Sequence, residues 1–241
     1  MKKFLRFLLF LIIVAIVIFL ASKNYTANIL RKSSAKLDEL EGKDLKLAIT
    51  MITKNEDGSV KDTKKTEHSF YQGDYATKNV TEQTNEDVTT SIYADSRNHI
   101  ILIVNKKEEK ESYMVSSHEM FHYEKVKSHF PILYSDTDSL LAWDDSMPIY
   151  MNLTKLLYTP SFTKSASENG RNYYVISSKD AEYWIDKGDY RLYKYIDKSD
   201  ANINPETKEK YYLEGIYEYE EAATPEDVEW PDLSGKDVIF I

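Results

Sequence analysis

The sequence predicts a mainly β (α+β) fold, in which an N-terminal transmembrane helix is followed by a curved antiparallel sheet or half-barrel with packed helices. Three observations predict this class: an unbroken apolar run over residues 7–21, apolar–polar alternation beyond residue 43, and 19 tyrosines among 241 residues. Tyrosine favours strands because its large ring packs well on a half-buried pleated face. We therefore predict a transmembrane anchor or signal segment at residues 1–21, a stalk helix at 22–42 and one sheet domain at 43–241.

The composition excludes several classes of function. The net charge is −9, and an acidic chain lacks the basic surface that nucleic-acid binding requires. Cysteine is absent, which excludes disulfides, thiol catalysis, thiolate metal sites and a lipid-modified cysteine anchor. The sequence contains no nucleophile elbow, P-loop or dinucleotide fingerprint. We therefore predict no cofactor and no nucleic-acid partner.

The first 21 residues have the features of a membrane segment. The apolar run is preceded by three basic residues, Lys2, Lys3 and Arg6. This basic end is expected in the cytoplasm. The length of the apolar run is compatible with both an anchor and a signal peptide. Cleavage after Ala21 would place the bulky Phe19 three positions before the cut, which favours an uncleaved anchor. We predict a single-pass plasma-membrane protein, anchored through residues 4–21, with its C-terminal domain on the extracellular side.

The hydrophobic period changes from helical to two soon after the membrane segment. Residues 22–42 have a helical pattern that ends at Gly42, a residue type that often terminates helices. The apolar residues near one face of this helix are Ile29, Leu30, Leu37 and Leu40. From Asp44 onward, alternating segments separated by turn signals predict about ten strands. Between Pro131 and Phe162 the alternation breaks, and the sequence predicts helices over residues 138–158.

The last long strand has a clear two-sided pattern. Its glutamates Glu214, Glu218 and Glu220 are predicted to face away from Leu213, Tyr217 and Tyr219. Such alternation is typical of a strand with one face on a core and one face in solvent.

Residues 118–122, His-Glu-Met-Phe-His, match the H-E-x-x-H string of zinc peptidases. In those enzymes the string lies on a helix, where both imidazoles reach one metal ion and the glutamate activates a water. In a strand, His118 and His122 would lie about 13 Å apart, too far for one ion. The flanking runs are typical of strands, so we interpret the string as a hairpin turn with exposed histidines. His129 is a further candidate ligand, whose alternative interpretation is a loop residue.

Acidic clusters downstream receive no functional assignment. Asp136 and Asp138 begin like a calcium loop, but Leu140 stands where an oxygen ligand is needed. The adjacent Asp144 and Asp145 match solvated turn residues better than an acid–base pair. The sequence therefore assigns no catalytic or metal-binding residue and leaves the ligand-binding residues unknown.

The second half of the chain contains motifs with a family resemblance. These are Tyr183-Trp184-Ile185-Asp186, Thr224-Pro225-Glu226-Asp227-Val228 and Pro231-Asp232. They resemble exported proteins of low-GC Gram-positive bacteria with a LolA/LolB-like, lipoprotein-carrier fold, over roughly residues 36–241. The resemblance implies a curved antiparallel sheet with helices on its concave side, and capture of an acyl chain or a lipidated protein. Because cysteine is absent, the membrane tether must be the helix.

Three functional hypotheses follow. The first is a membrane-anchored, non-enzymatic extracytoplasmic domain that binds a lipid, an acyl chain or a lipoprotein on its concave sheet face. The alternative is an envelope stress sensor or regulatory protein-interaction module with a membrane-protein partner. The third is a zinc metallopeptidase that uses residues 118–122.

Overall fold

The computed structural model describes most of the chain. The described residues are 2–71, 76–83, 88–95, 97–117, 126–131, 162–178, 180–199, 203 and 210–241. The His-Glu-Met-Phe-His string at 118–122, the acidic residues at 136–145 and the predicted helices over 138–158 all lie outside them. The described residues that flank the string belong to a strand ending at Ser117 and a 3₁₀ helix beginning at Val126.

The described residues form one long helix, twelve strands and two short 3₁₀ helices. The helix is α1, Lys2–Asp38. The strands are β1 (Leu45–Asn55), β2 (Val60–Tyr71), β3 (Ala76–Gln83), β4 (Val88–Asp95), β5 (Ile100–Lys107), β6 (Lys110–Ser117), β7 (Phe162–Glu168), β8 (Arg171–Ser177), β9 (Ala181–Asp186), β10 (Leu192–Asp197), β11 (Tyr211–Glu221) and β12 (Val238–Phe240). The 3₁₀ helices are Val126–His129 and Pro225–Val228. The predicted mainly β class, with a long apolar N-terminal helix, is confirmed.

Helix α1 is continuous through the predicted anchor and most of the predicted stalk. An 18-residue window has a mean hydropathy of 3.1, so the helix is long and apolar enough to cross a membrane as a signal sequence or an anchor. A turn follows Asp38, and Gly42 takes a left-handed conformation there, with φ of 79°. The residues predicted to share one face are buried, namely Ile29, Leu30, Leu37 and Leu40.

The chain divides into two compact units. The smaller comprises Met1–Asp38 and Phe130–Leu192, and the larger comprises Glu39–His129 and Tyr193–Ile241. In the smaller unit the hydrogen-bonded strand order is β9-β8-β7, and α1 contacts β7. In the larger unit the order is β12-β6-β5-β4-β3-β2-β1-β11-β10. The boundaries of the single domain expected at 43–241 stay a prediction.

Nearly all strand pairs are antiparallel, as the short predicted connections require. Within the described pairs, β12 is the exception, because it lies parallel to β6 and brings Val238 opposite Tyr113. The most apolar predicted strand, β5, is an interior strand between β4 and β6.

Strand β1 organises the larger unit. It pairs with β11 on one side and β2 on the other along almost its whole length. Leu45, Leu47 and Ile49 alternate with Lys46 and Ala48, so the leucines and the isoleucine are buried on one face. Because side chains alternate between faces, the register of β1 fixes which residues of its neighbours share each face.

The lysine-bearing face of the larger unit contains a buried group of charges. Glu214 on β11 is 8% exposed, and Lys194 on β10 is also 8% exposed. The Glu214 carboxylate accepts a hydrogen bond from Lys54 Nζ on β1, and its Oε1 lies 3.6 Å from Lys194 Nζ. One carboxylate thus joins three neighbouring strands through two ammonium groups.

Replacing Glu214 with alanine is expected to lower the free energy of unfolding by about 3 kcal/mol, because a buried ammonium loses its counter-charge. Urea unfolding of the full chain in detergent micelles, followed by intrinsic fluorescence, measures the change. The matched control is Glu218→Ala, which removes an exposed glutamate from the same face of β11. We expect the control to change stability by less than about 0.5 kcal/mol. Equal losses in both variants would show that the Glu214 carboxylate has no special role.

Candidate functional site

A line of aligned positions crosses the larger unit from β1 to β6. Leu47 is opposite His68, Ile92 is opposite Ile103, and Ile103 is opposite Met114, with position 79 of β3 connecting the two parts. We call Leu47, His68, Ile92, Ile103 and Met114 the apolar row. Since neighbouring strands lie about 4.8 Å apart, the row extends about 19 Å from β2 to β6.

The two ends of the apolar row differ in exposure. Leu47 is fully buried and His68 is 6% exposed. Ile92, Ile103 and Met114 are only partly buried. Isoleucine and methionine are usually buried, so three of them aligned and partly exposed form an apolar strip on this face.

A polar row borders the apolar row on the same face. It aligns Thr66, Thr81, Thr90 and Asn105 across β2 to β5, and the apolar Ile49 of β1 lies at its end. The Thr66 and Thr81 hydroxyl oxygens are 3.4 Å apart, and the Thr90 hydroxyl donates to Asn105 Oδ1 at 2.9 Å. On β4 and β5 the face therefore changes from an isoleucine to a hydrogen-bonded hydroxyl or amide group within two residues along the strand.

The opposite face of strands β4–β6 is covered by the chain itself. Tyr93, Leu102 and Tyr113 form a buried cluster there, and Trp230 and Leu233 of the C-terminal segment pack against it. This cluster is ordinary core. Among the described residues, the C-terminal segment thus covers this face of β4–β6, where Val104 and Val115 are also only partly buried.

A 3₁₀ helix packs at the β2 end of the apolar row. The ring centroids of His129 and His68 are 3.8 Å apart, and His129 also meets Phe70 at 5.8 Å. Val126, at the start of this helix, is fully buried. His129, which the sequence left as a candidate ligand or a loop residue, is therefore part of a packed histidine–phenylalanine cluster.

The histidine pair has a clear electrostatic consequence. Burial, together with the neighbouring His68, lowers the pKa of His129 from 6.5 to about 3. The neutral imidazole is therefore the form that the fold accommodates, because a charged ring would be desolvated beside a second imidazole.

A second candidate surface, a groove of about 490 Å³, lies on the lysine-bearing face. Its charged lining residues are Lys46, Lys65, Lys78, Glu67, Glu218, Glu220, Glu226 and Asp227. Lys46 Nζ lies 2.9 Å from Asp227, and this contact holds the pKa of Asp227 below its ordinary value. Lys65 Nζ lies 2.6 Å from Glu67. Because charges of both signs line the groove, it is unsuited to a hydrocarbon chain.

The described residues contain no group of three or more histidine, aspartate and glutamate side chains placed to hold a metal ion. The zinc-peptidase string lies outside those residues, so the hairpin interpretation stays a prediction. His68 was not among the candidate residues predicted from the sequence. The signal was present, because the alternation of β2 places His68 on the same face as the buried Phe70.

The lowered pKa of His129 predicts a loss of stability in acid. The unfolded chain binds a proton near pH 6.5, whereas the folded chain resists it until about pH 3. Stability from this group is therefore fully present above pH 6.5 and declines as the pH falls towards 3, by up to about 5 kcal/mol.

Urea unfolding of the full chain in detergent at several pH values between 8 and 4 measures this loss. His129→Phe should flatten the acid limb of the stability profile. The control is His99→Asn, which removes an exposed histidine at a left-handed backbone position that asparagine tolerates. An unchanged profile in His129→Phe would contradict the assignment.

No protein-family model matches this chain, and no curated protein matches it. Solved structures do match. The chain is similar to LppX, a Mycobacterium tuberculosis lipoprotein, at 11% identity and a TM-score of 0.40, over 83% of this chain and 98% of that chain. PNGF-II is similar at 9% identity and a TM-score of 0.28, over 82% of this chain; the chain covers only 31% of PNGF-II.

A third match is an outer membrane lipoprotein-sorting protein domain from Vibrio parahaemolyticus. Its identity is 12% and its TM-score is 0.26, over 86% of this chain and 97% of that chain. The chain is thus similar in structure, at low sequence identity, to a lipoprotein and to a lipoprotein-sorting protein domain.

Proposed function

We propose that this chain is a membrane-anchored, non-enzymatic extracytoplasmic module that binds the hydrocarbon chain of a lipid or of an acylated protein. The binding surface is the apolar row, whose face we take to be the concave face of the predicted curved sheet. The observation that supports the proposal best is the alignment of Ile92, Ile103 and Met114, which are partly exposed on a face opposite to the covered core.

The driving force would be removal of apolar area from water. Each Å² of apolar surface buried contributes about 25 cal/mol, so complete burial of one isoleucine side chain contributes about 2 kcal/mol. The row supplies branched and thioether side chains, which adapt to a flexible alkyl chain without specific geometry. The bordering polar row supplies hydroxyl and amide groups at the edge where a polar end of the ligand would leave the apolar surface.

The membrane tether places such a module next to its ligand. Residues 4–21 anchor the chain in the plasma membrane, and Lys2, Lys3 and Arg6 hold the N-terminus in the cytoplasm. The rest of the chain then lies on the extracellular side, where a lipid or a lipoprotein in the same bilayer is within reach.

A photoreactive fatty acid tests the proposal in the membrane. The full chain is reconstituted in proteoliposomes that contain a fatty acid with a diazirine near its methyl end. After irradiation, cross-linked peptides are located by mass spectrometry. We expect cross-links in two places, the membrane-spanning part of α1 and the peptides of β4–β6. The cross-links in α1 are an internal control, because they require only insertion into the bilayer.

Ile103→Asn is expected to reduce the cross-links to β4–β6 about tenfold and to leave those to α1 unchanged, since it replaces the central apolar side chain of the row. The control variant is Lys106→Asn, an exposed position on the other face of β5. It should preserve both sets of cross-links. Cross-links confined to α1 in the unaltered protein would contradict lipid binding and favour the alternative of a protein-interaction module.

A further inference from the structure

Helix α1 runs across the strands of the smaller unit. The Thr26 hydroxyl lies 2.7 Å from the Thr163 hydroxyl on β7, and the Ser33 hydroxyl donates to the carbonyl oxygen of Tyr190, beyond β9, at 2.5 Å. The seven-residue step from Thr26 to Ser33 covers about 10 Å along the helix axis. Two interstrand spacings also cover about 10 Å. Of the described strands in this unit, β7 therefore lies closest to the apolar run.

The position of β7 relative to a bilayer follows from the helix rise. Thr26 is five residues beyond Ala21, where the apolar run ends, which corresponds to about 7 Å along the axis. Each headgroup layer of a bilayer is about 5–7 Å thick. When the apolar run spans the hydrocarbon core, β7 consequently lies at the level of the headgroups.

The helix is held rigidly against this unit. Thr26, Leu30 and Ser33 are all fully buried. The two hydroxyl contacts fix both the height and the rotation of α1 relative to the strands. Since the helix has no break between residues 21 and 26, the distance between the end of the apolar run and β7 is set by the helix itself.

We propose that the edge of the smaller unit formed by β7 rests on the headgroup layer of the outer leaflet and contacts lipid phosphates. This inference rests on the proposed function only in requiring that the apolar run of α1 spans the bilayer. It adds a defined membrane-facing surface to what would otherwise be a simple tether. Among the described strands of this unit, β7 pairs only with β8 and is the last in the order.

The side chains near this edge suit a headgroup environment. Lys164 and Ser165 on β7 are exposed, and Lys187 Nζ donates to the Ser165 hydroxyl at 2.7 Å. Lys187 Nζ also lies 5.0 Å from the centre of the Tyr174 ring, and Tyr174 meets the half-exposed Tyr25 at 6.4 Å. Ammonium groups bind phosphate, and tyrosine is enriched at membrane interfaces because its ring is amphipathic. Headgroup contact would also cover an edge that is otherwise an association hazard.

Single-cysteine labelling tests the inference, because the natural chain has no cysteine. The full chain with Ser165→Cys or Asp189→Cys is labelled with bimane in nanodiscs of phosphatidylcholine and phosphatidylglycerol. A nitroxide attached to the lipid headgroup quenches nearby label. Asp189 is exposed in the turn next to Tyr190, about 10 Å further along the helix axis. We expect quenching at position 165 to be several-fold stronger than at position 189. Equal quenching, or stronger quenching at position 189, would overturn the inference.

A third label separates this inference from the anchor itself. Ile13 lies in the middle of the apolar run. If an acyl-chain nitroxide quenches a bimane label on Ile13→Cys, the run is inserted in the bilayer. If position 13 is inserted and position 165 is not quenched, the inference is overturned while anchoring and lipid binding stand. If aqueous iodide also fails to quench the label at position 165 in that case, protein covers the edge instead of lipid. If position 13 is not inserted, both the inference and the anchor are overturned.

Discussion

The hydrogen-bonded register of β1 is the constraint on which the rest of the larger unit depends. Its residues pair with β11 and β2 at the same time, so Leu47 faces the core while Lys46 faces the charged groove. A slip of one residue would exchange these two side chains and bury an ammonium in place of a leucine. Together with the registers of the pairs from β2 to β6, this alignment determines the apolar row, the polar row and the groove.

The two faces acquire different properties because their covers differ. On one face the C-terminal segment adds Trp230 and Leu233 to the tyrosine–leucine cluster, and a capping box closes the 3₁₀ helix before them through Thr224 and Asp227. Asp227 also meets Lys46 of β1, so the segment is attached at both an apolar and a charged contact. On the other face, within the described residues, the 3₁₀ helix at Val126–His129 covers the β2 end, where His129 packs on His68, and the apolar side chains of the row at the β4–β6 end are partly buried. The alignment of these partly buried apolar side chains is the physical basis of the proposed ligand surface.

Local pattern predicted much of the fold and little of the site. Alternation identified most strands, and the glutamates of β11 do lie on the face opposite Tyr217 and Tyr219, as predicted. Their solvent exposure differs along the strand, because Glu214 is buried by Lys54 and Lys194 from two other strands. A local sequence pattern does not indicate which residues of other strands will lie beside a side chain. The histidine pair was missed for the same reason, since its members are distant in sequence and meet only after β2 and the 3₁₀ helix are placed together.

Three hydroxyl residues of α1 are buried, although their polar side chains favour an exposed position in the sequence pattern. Thr26, Ser33 and Ser34 are modest helix formers, and their polar groups would argue for an exposed stalk. All three are buried, and the hydroxyls of Thr26 and Ser33 bond to groups of the smaller unit. A short hydroxyl side chain brings a helix close to a strand and supplies a hydrogen bond at the contact, which a leucine could not do. Residues 22–38 are therefore a structural part of the smaller unit, and the segment leaving the apolar run enters a fixed packing arrangement within about two turns.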